Sequence, residues 1–214
     1  LSPSLRKRLQ ALRQDRQVAI GIISGRGLRD LRRRIGIREE NQMSAKHPII
    51  AITGSSGAGT TSVKKIFDQI FRREDVRAAF IEGDAFHRYD RQAMKAKMLD
   101  EESRGNRDFS HFSPEANVLE KLQEVFQDFG RKGRGETRHY IHDQDEAQLY
   151  GGEPGTFSAW APLEESDLLF YEGLHGCVKT DTVDLAPLVD LKIGVVPVIN
   201  LEWIQKIHRD KAAR

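Results

Sequence analysis

Short, mostly apolar runs alternate along the chain with amphipathic stretches. Val18 to Ile23, Ile49 to Thr53, Val76 to Ile81, Asp167 to Tyr171 and Leu191 to Val196 are rich in Ile, Val and Leu. They are too short for buried helices and too uniformly apolar for half-exposed strands, which predicts strands covered on both faces. Residues 1–17, with Leu5, Leu9 and Leu12 among Arg and Lys, read as an amphipathic helix, and Leu28 to Ile35 as a second, shorter one. Thr61 to Arg73 predicts a helix with Val63, Ile66, Phe67 and Ile70 on one face, and Tyr89 to Leu99 a polar helix. Pro114 to Phe129 predicts a stronger helix, with Pro114 in its first turn and Gly130 past its end. The segment Thr137 to His142 alternates as a strand does, and Ile199 to Ala213 predicts a last helix. Strands alternating with helices imply an α/β fold, a mostly parallel sheet with helices on both faces. A polar joint, Arg38 to Gln42, divides the chain into an N-terminal helix–strand–helix extension (1–42) and a main domain (43–214).

Composition narrows the classes. With 31% charged residues, no apolar run reaches the ~18 residues that a membrane-spanning helix needs. The net charge of +2 reflects Arg and Lys concentrated in residues 1–38, so the basic balance is local and gives no reason to expect a nucleic-acid partner. The lone Cys177 excludes a disulfide framework, and no secretory signal pattern opens the sequence, so a cytoplasmic location is expected.

Chemistry is concentrated where predicted strands end. After Ile49 to Thr53 comes Gly54-Ser55-Ser56-Gly57-Ala58-Gly59-Thr60-Thr61, close to the phosphate-binding pattern G-x-x-x-x-G-K-[ST]. Gly54 and Gly59 are in place, Thr61 stands where a Mg²⁺-binding hydroxyl belongs, and Thr60 takes the place of the lysine. Backbone N–H groups of such a turn, with the positive end of the following helix, form an anion cradle, which makes ATP the expected phosphate donor. The alternative is an ordinary glycine-rich turn. The next strand ends in Glu82-Gly83-Asp84-Ala85-Phe86-His87-Arg88, where Asp84 could accept a hydroxyl proton while Arg88 or Arg91 holds an anion, or could simply cap the following helix. Asp167 to Tyr171 runs into Glu172, a carboxylate at the position of a Mg²⁺-shell acid, or one that ends the strand in solvent. Lys206, Arg209 and Asp210 fall on neighbouring turns of the last predicted helix, where such charges usually form a solvated face. The tripeptide His208-Arg209-Asp210 lacks the glycine loop, strand lysine and downstream asparagine that a protein kinase requires.

From Met43 onward the sequence closely resembles the bacterial-type phosphoribulokinases of carbon fixation. The resemblance rests on residues 53–61, 81–88, Phe109-Ser110-His111-Phe112-Ser113, residues 170–176 and residues 197–210. It implies transfer of the γ-phosphoryl group of ATP, with Mg²⁺, to the 1-hydroxyl of ribulose 5-phosphate in the Calvin cycle. Asp84 would be the catalytic base and Glu172 the second acid, at the metal with Thr61 and Asp210. His87, Arg91, Tyr140 and His142 would bind the sugar phosphate, and Lys206 and Arg209 would stabilise the transferring phosphoryl. A small hydroxyl residue in place of the loop lysine is itself a trait of this family, and Lys206 can supply the missing cation from another element. Family members form homo-oligomers activated by NADH; they continue beyond Asp210 into arginines that bind effector, so the NADH response is expected to be lost here. Residues 1–42 resemble instead a piece of a trehalose-phosphate phosphatase of the haloacid-dehalogenase type, in Val18 to Arg26 and Leu28 to Leu31, with Ser24 as the phosphate-binding hydroxyl. No Asp-x-Asp nucleophile precedes it, so no phosphatase activity is expected. Two other readings compete for the main domain: a nucleotide-binding fragment without turnover, and a kinase of another small molecule, such as uridine or pantothenate.

Overall fold

The computed structural model describes residues 19–21, 47–55, 58–196, 204 and 207–208. The predicted helices over 1–17 and 28–35 lie outside the described residues, as does most of the one over 199–213, of which Ile204, Ile207 and His208 are helical.

The apolar runs become strands β1 (Ala19–Gly21), β2 (Ile49–Gly54), β3 (Ala78–Glu82), β6 (Leu168–Glu172) and β7 (Leu191–Val195). They form one sheet in the order β1-β7-β2-β6-β3, with every neighbouring pair parallel. β1 comes from the segment read as an extension and pairs with β7 from Ala19 opposite Ile193 to Gly21 opposite Val195. Successive side chains serve opposite faces, which is why these strands are apolar throughout. Ile49, Ala51, Leu169 and Tyr171 join one core, and Ile50, Ile52, Leu168 and Phe170 the other.

Each core is closed by a helix. On one face α1 (Thr60–Arg73) lays Phe67 and Phe71 around Phe170, with ring centroids 5.3 and 5.6 Å away. Phe71 draws the buried stripe of α1 to its own side and leaves Ile66, expected on that stripe, 55% exposed. On the other face α3 (Leu119–Lys132) buries Leu122, Val125, Phe126 and Phe129, with Phe126 edge-on to Tyr171 at 5.6 Å. α2 (Arg91–Ser103) precedes it, capped by Asp90, whose carboxylate accepts from Ala93 N at 2.7 Å.

Three expectations are corrected. The helix predicted from Pro114 begins only at Leu119: Pro114–Ala116 form a single 3₁₀ turn, and Asn117 is extended because it bridges to His87. That helix runs through Gly130 and stops at Gly133, whose φ of 67° turns the chain left-handed. Thr137 to His142 is not one strand: only β4 (Glu136–Thr137) pairs regularly, with β5 (Ala161–Pro162). Beyond it the chain is tied piecemeal to residues 156–158, through His139 N to Ser158 Oγ and Ile141 N to Thr156 O. The alternation still sorts the faces, since Ile141 is buried and His142 exposed. A short helix, α4 (Gln144–Tyr150), follows under an Asp143 cap and was not anticipated.

Candidate active site

Parallel register gathers the predicted chemistry at one edge. Glu172 lies opposite both Ile52 and Glu82, and Gly54 opposite Val195, so β2, β3, β6 and β7 end together, where ligands of open parallel sheets collect. The alternation that sends Leu168 and Phe170 to the α1 face carries Glu172 to that same face. Glu82, beside it in register, is paired with Lys64 of α1, which relieves the repulsion of two adjacent carboxylates. Lys64 is thereby committed to Glu82 and does not stand in for the missing loop lysine.

The glycine loop has the geometry of an anion cradle. Gly59 has φ 95° and begins α1 without a side-chain cap, leaving first-turn N–H groups open to a ligand. A Cβ on Gly54 would lie 2.8 Å from the Val195 carbonyl and 3.2 Å from Ala58 Cβ, so only glycine lets the loop fold back over the strand ends. Ala58 is buried, Ser55 O accepts from Ala58 N at 2.9 Å, and Thr60 and Thr61 open the helix. Ser56 and Gly57 lie outside the described residues. Thr53 Oγ1 donates to Leu174 O at 2.6 Å and Gly173 N to Ile52 O at 3.0 Å, which stitches this loop to the Glu172 turn.

Asp84 is not a helix cap. It sits in a 3₁₀ turn, Gly83–Phe86, that re-aims the chain after β3, and its carboxylate, 54% exposed, lies between two imidazoles. His142 Nε2 is 3.2 Å from one oxygen and His87 Nε2 3.2 Å from the other. Hydrogen bonds from His142 first, and then His87, hold the Asp84 carboxyl well below the usual carboxylate range. The same bond to Asp84, aided by Glu146, pushes His142 up to about 9. Tyr140 lies edge-on to both rings, at 5.0 Å from His142 and 6.1 Å from His87. Arg91 opens α2 and donates from its guanidinium to His142 O at 3.0 Å. Asp84, His87, Arg91, Tyr140 and His142 therefore lie together at one place. Lys206, Arg209 and Asp210 lie outside the described residues.

Several neighbours carried no readable signal. Asn117, 2% exposed, donates from Nδ2 to His111 O and Ser113 O, which leaves Oδ1 to face His87 Nδ1 at 2.9 Å. Among the described residues Arg138 has no carboxylate partner; it donates to Ala85 O at 2.7 Å and His87 O at 2.6 Å while stacking on Phe157 and Trp160. Arg88, a candidate anion holder, instead donates to Glu115 O and Asn117 O and pairs with Glu120, so it braces the 115–120 segment. A cleft of about 480 Å³ beside the histidines is lined by Arg91, Lys95, Arg107 and His111, with one acid, Glu102, and the apolar Phe109. Only its position next to Arg91, one helical turn from Lys95, could have marked that lysine in the sequence.

Among the described residues no group of three acidic, histidine or cysteine side chains could hold a metal ion. Mg²⁺ asks for less, since one or two oxygen ligands from the protein suffice when phosphates and water supply the rest. The Thr61 hydroxyl and the Glu172 carboxylate fit that demand by their chemistry.

Residues 49–214 match the model of the phosphoribulokinase / uridine kinase family. The chain is 66% identical over 172 residues to a phosphoribulokinase of Sinorhizobium medicae and 64% over 173 residues to one of Nitrobacter vulgaris, in each case 80% of this chain. It covers 59% and 60% of those two proteins, and so spans about three-fifths of the curated relatives it matches. A solved phosphoribulokinase structure from Rhodobacter spheroides superposes with a TM-score of 0.69 at 56% identity, over 79% of this chain and 58% of that one. The kinship of residues 1–42 with trehalose-phosphate phosphatases gains no support from these relatives, and residues 1–48 fall outside the family model's span. From Ile49 onward, through the glycine loop, the Asp84 turn and the Glu172 strand, the chain belongs to the phosphoribulokinase / uridine kinase family.

Proposed function

We propose that this chain carries the catalytic half of an ATP-dependent kinase that phosphorylates the 1-hydroxyl of D-ribulose 5-phosphate, giving ribulose 1,5-bisphosphate for the Calvin cycle. The observation that carries the reading is Asp84, held between two histidines at the sheet edge that also bears the glycine loop and Glu172. The 66% identity to a protein named phosphoribulokinase supplies the substrate. Residues 43–214 form the kinase domain in this reading, and 1–42 an extension that lends β1 to its sheet.

The Asp84 carboxylate is ionised at neutral pH and can take the hydroxyl proton as the hydroxyl oxygen attacks the γ-phosphorus. ADP leaves with the bridging oxygen and its electron pair, and the proton passes from Asp84 to solvent. Backbone N–H groups at the start of α1 receive the nucleotide phosphates. His142, cationic below about pH 9, and Arg91 and Lys95 at the neighbouring cleft offer positive charge to the sugar phosphate. Tyr140 packs edge-on with both histidine rings, and His87 lies at the second oxygen of Asp84. Lys206 and Arg209 stabilise the transferring phosphoryl, and Asp210 completes the acidic set. Thr61, Glu172 and Asp210 would hold Mg²⁺, which when bound neutralises charge on the nucleotide phosphates.

The test is a panel of acceptors scored by ADP release. Ribulose 5-phosphate is expected to give the highest kcat/KM, and a preference for uridine or pantothenate would overturn the substrate. Nucleotide binding with no turnover on any acceptor would favour a binding fragment.

A further inference from the structure

α4 begins with Asp143 as its cap, and Asp143 Oδ1 accepts from Glu146 N at 3.0 Å. An acidic residue three places after a cap ordinarily reaches back to the cap's own N–H, which is a purely structural task. Glu146 reaches one residue further. Its Oε2 accepts from His142 N at 2.7 Å and also meets His142 Nδ1 at 3.0 Å, while Nε2 of the same ring faces Asp84 at 3.2 Å. One carboxylate oxygen therefore fixes both the backbone and the ring of His142, and both ring nitrogens point at carboxylates.

We propose that Glu146 is a positioning residue of this kinase, which fixes the backbone and the ring of His142 and so holds the imidazole aimed at Asp84, beside the place where the sugar phosphate is proposed to bind. The groups facing the ring support this role. Asp84 approaches from the 3₁₀ turn after β3 and Glu146 from α4, while Tyr140 lies edge-on and Arg91 of α2 donates to the His142 carbonyl and not to the ring. Two acids thus outweigh the nearby cation, and they raise the ring's affinity for its second proton. The same arrangement makes His142 unsuited to accept a proton during turnover and leaves that task to Asp84.

The structural role and the electrostatic one separate in Glu146→Gln, because glutamine keeps a cap's hydrogen bond but carries no charge. Ring-nitrogen NMR of the full chain is expected to show His142 titrating near pH 9 in the unaltered protein. In Glu146→Gln the midpoint falls by roughly one unit, and in Asp84→Asn, where Glu146 alone remains, it stays above 6.5. The activity arm rests on the function proposed above: at pH 9, Glu146→Gln raises the KM for ribulose 5-phosphate by about fivefold with kcat nearly unchanged, and the gap closes by pH 6. Glu146→Asp, which restores the charge on a shorter arm, recovers part of the loss. An unchanged midpoint in Glu146→Gln, or a midpoint at 6.5 or below in Asp84→Asn, overturns the proposal. A chain that never turns over ribulose 5-phosphate refutes the proposed function alone, and the ring titration still decides the role of Glu146.

Discussion

Gly83 and Gly173 pass so close that a Cβ on Gly173 would lie 2.8 Å from Gly83 Cα and 2.7 Å from the Tyr171 hydroxyl. Each glycine adjoins a candidate site acid, Gly83 beside Asp84 and Gly173 beside Glu172. The buried Tyr171 closes the space between the turns, and its hydroxyl accepts from His175 N at 3.3 Å. Gly173→Ala must push the two turns apart, and we expect a loss of about 1–3 kcal/mol in stability. We also expect turnover to fall further than the unfolded fraction explains. Denaturant titration combined with ADP release measures both, and a variant with unchanged stability would show that the approach is not needed.

Arg138 clamps the Asp84 turn through the carbonyls of Ala85 and His87. Lysine keeps the charge, but its single nitrogen lacks the two separated donors that hold the carbonyls, and it cannot lie flat on Phe157. Arg138→Lys is expected to cost about 2 kcal/mol, from charge-assisted hydrogen bonds and stacking lost in a half-buried place. Chemical denaturation checks the cost, and a loss below about 0.5 kcal/mol would contradict the clamp.

The Asp84–His142 pair makes stability depend on pH in a definite sense. His142 is raised from 6.5 to about 9, so its contribution is complete below pH 6.5 and fades as pH rises through 9. Asp84 is lowered from 3.8, so its contribution is complete above that value and fades as pH falls further. His142→Gln should therefore destabilise most between about pH 4 and 6.5, and least above pH 9. Both side chains are half exposed, so salt should shrink the difference. Denaturation midpoints of the two proteins across pH test this, and a gap that widens above pH 8 would contradict it.

The sheet was legible because strands buried on both faces carry unbroken apolar runs, and observed boundaries fall within two residues of the predicted ones for Ile49–Gly54, Ala78–Glu82 and Leu168–Glu172. The glycine loop and Asp84 stood out because each directly follows such a run. Local signals failed where distant contacts decide. Pro114 marked a helix start, yet Asn117 leaves the helix to bridge His87, 30 residues away. Arg138 acts through a guanidinium on two carbonyls and leaves no spacing that a sequence could show, whereas Glu146, three residues after Asp143 and four after His142, does leave a capping pattern, though not its contact with the ring. Gly130 looked like a helix end, but only Gly133 adopts the left-handed turn.

The role of Asp84 as the base is measured most directly by ADP release with ribulose 5-phosphate by Asp84→Asn beside the unaltered chain, with binding of both substrates followed in parallel. Asparagine keeps the shape and can still bond to the histidines, but it accepts no proton. We expect kcat to fall by about 10³-fold with both substrates still bound. A variant that binds both and turns over within tenfold of the unaltered chain would contradict the account.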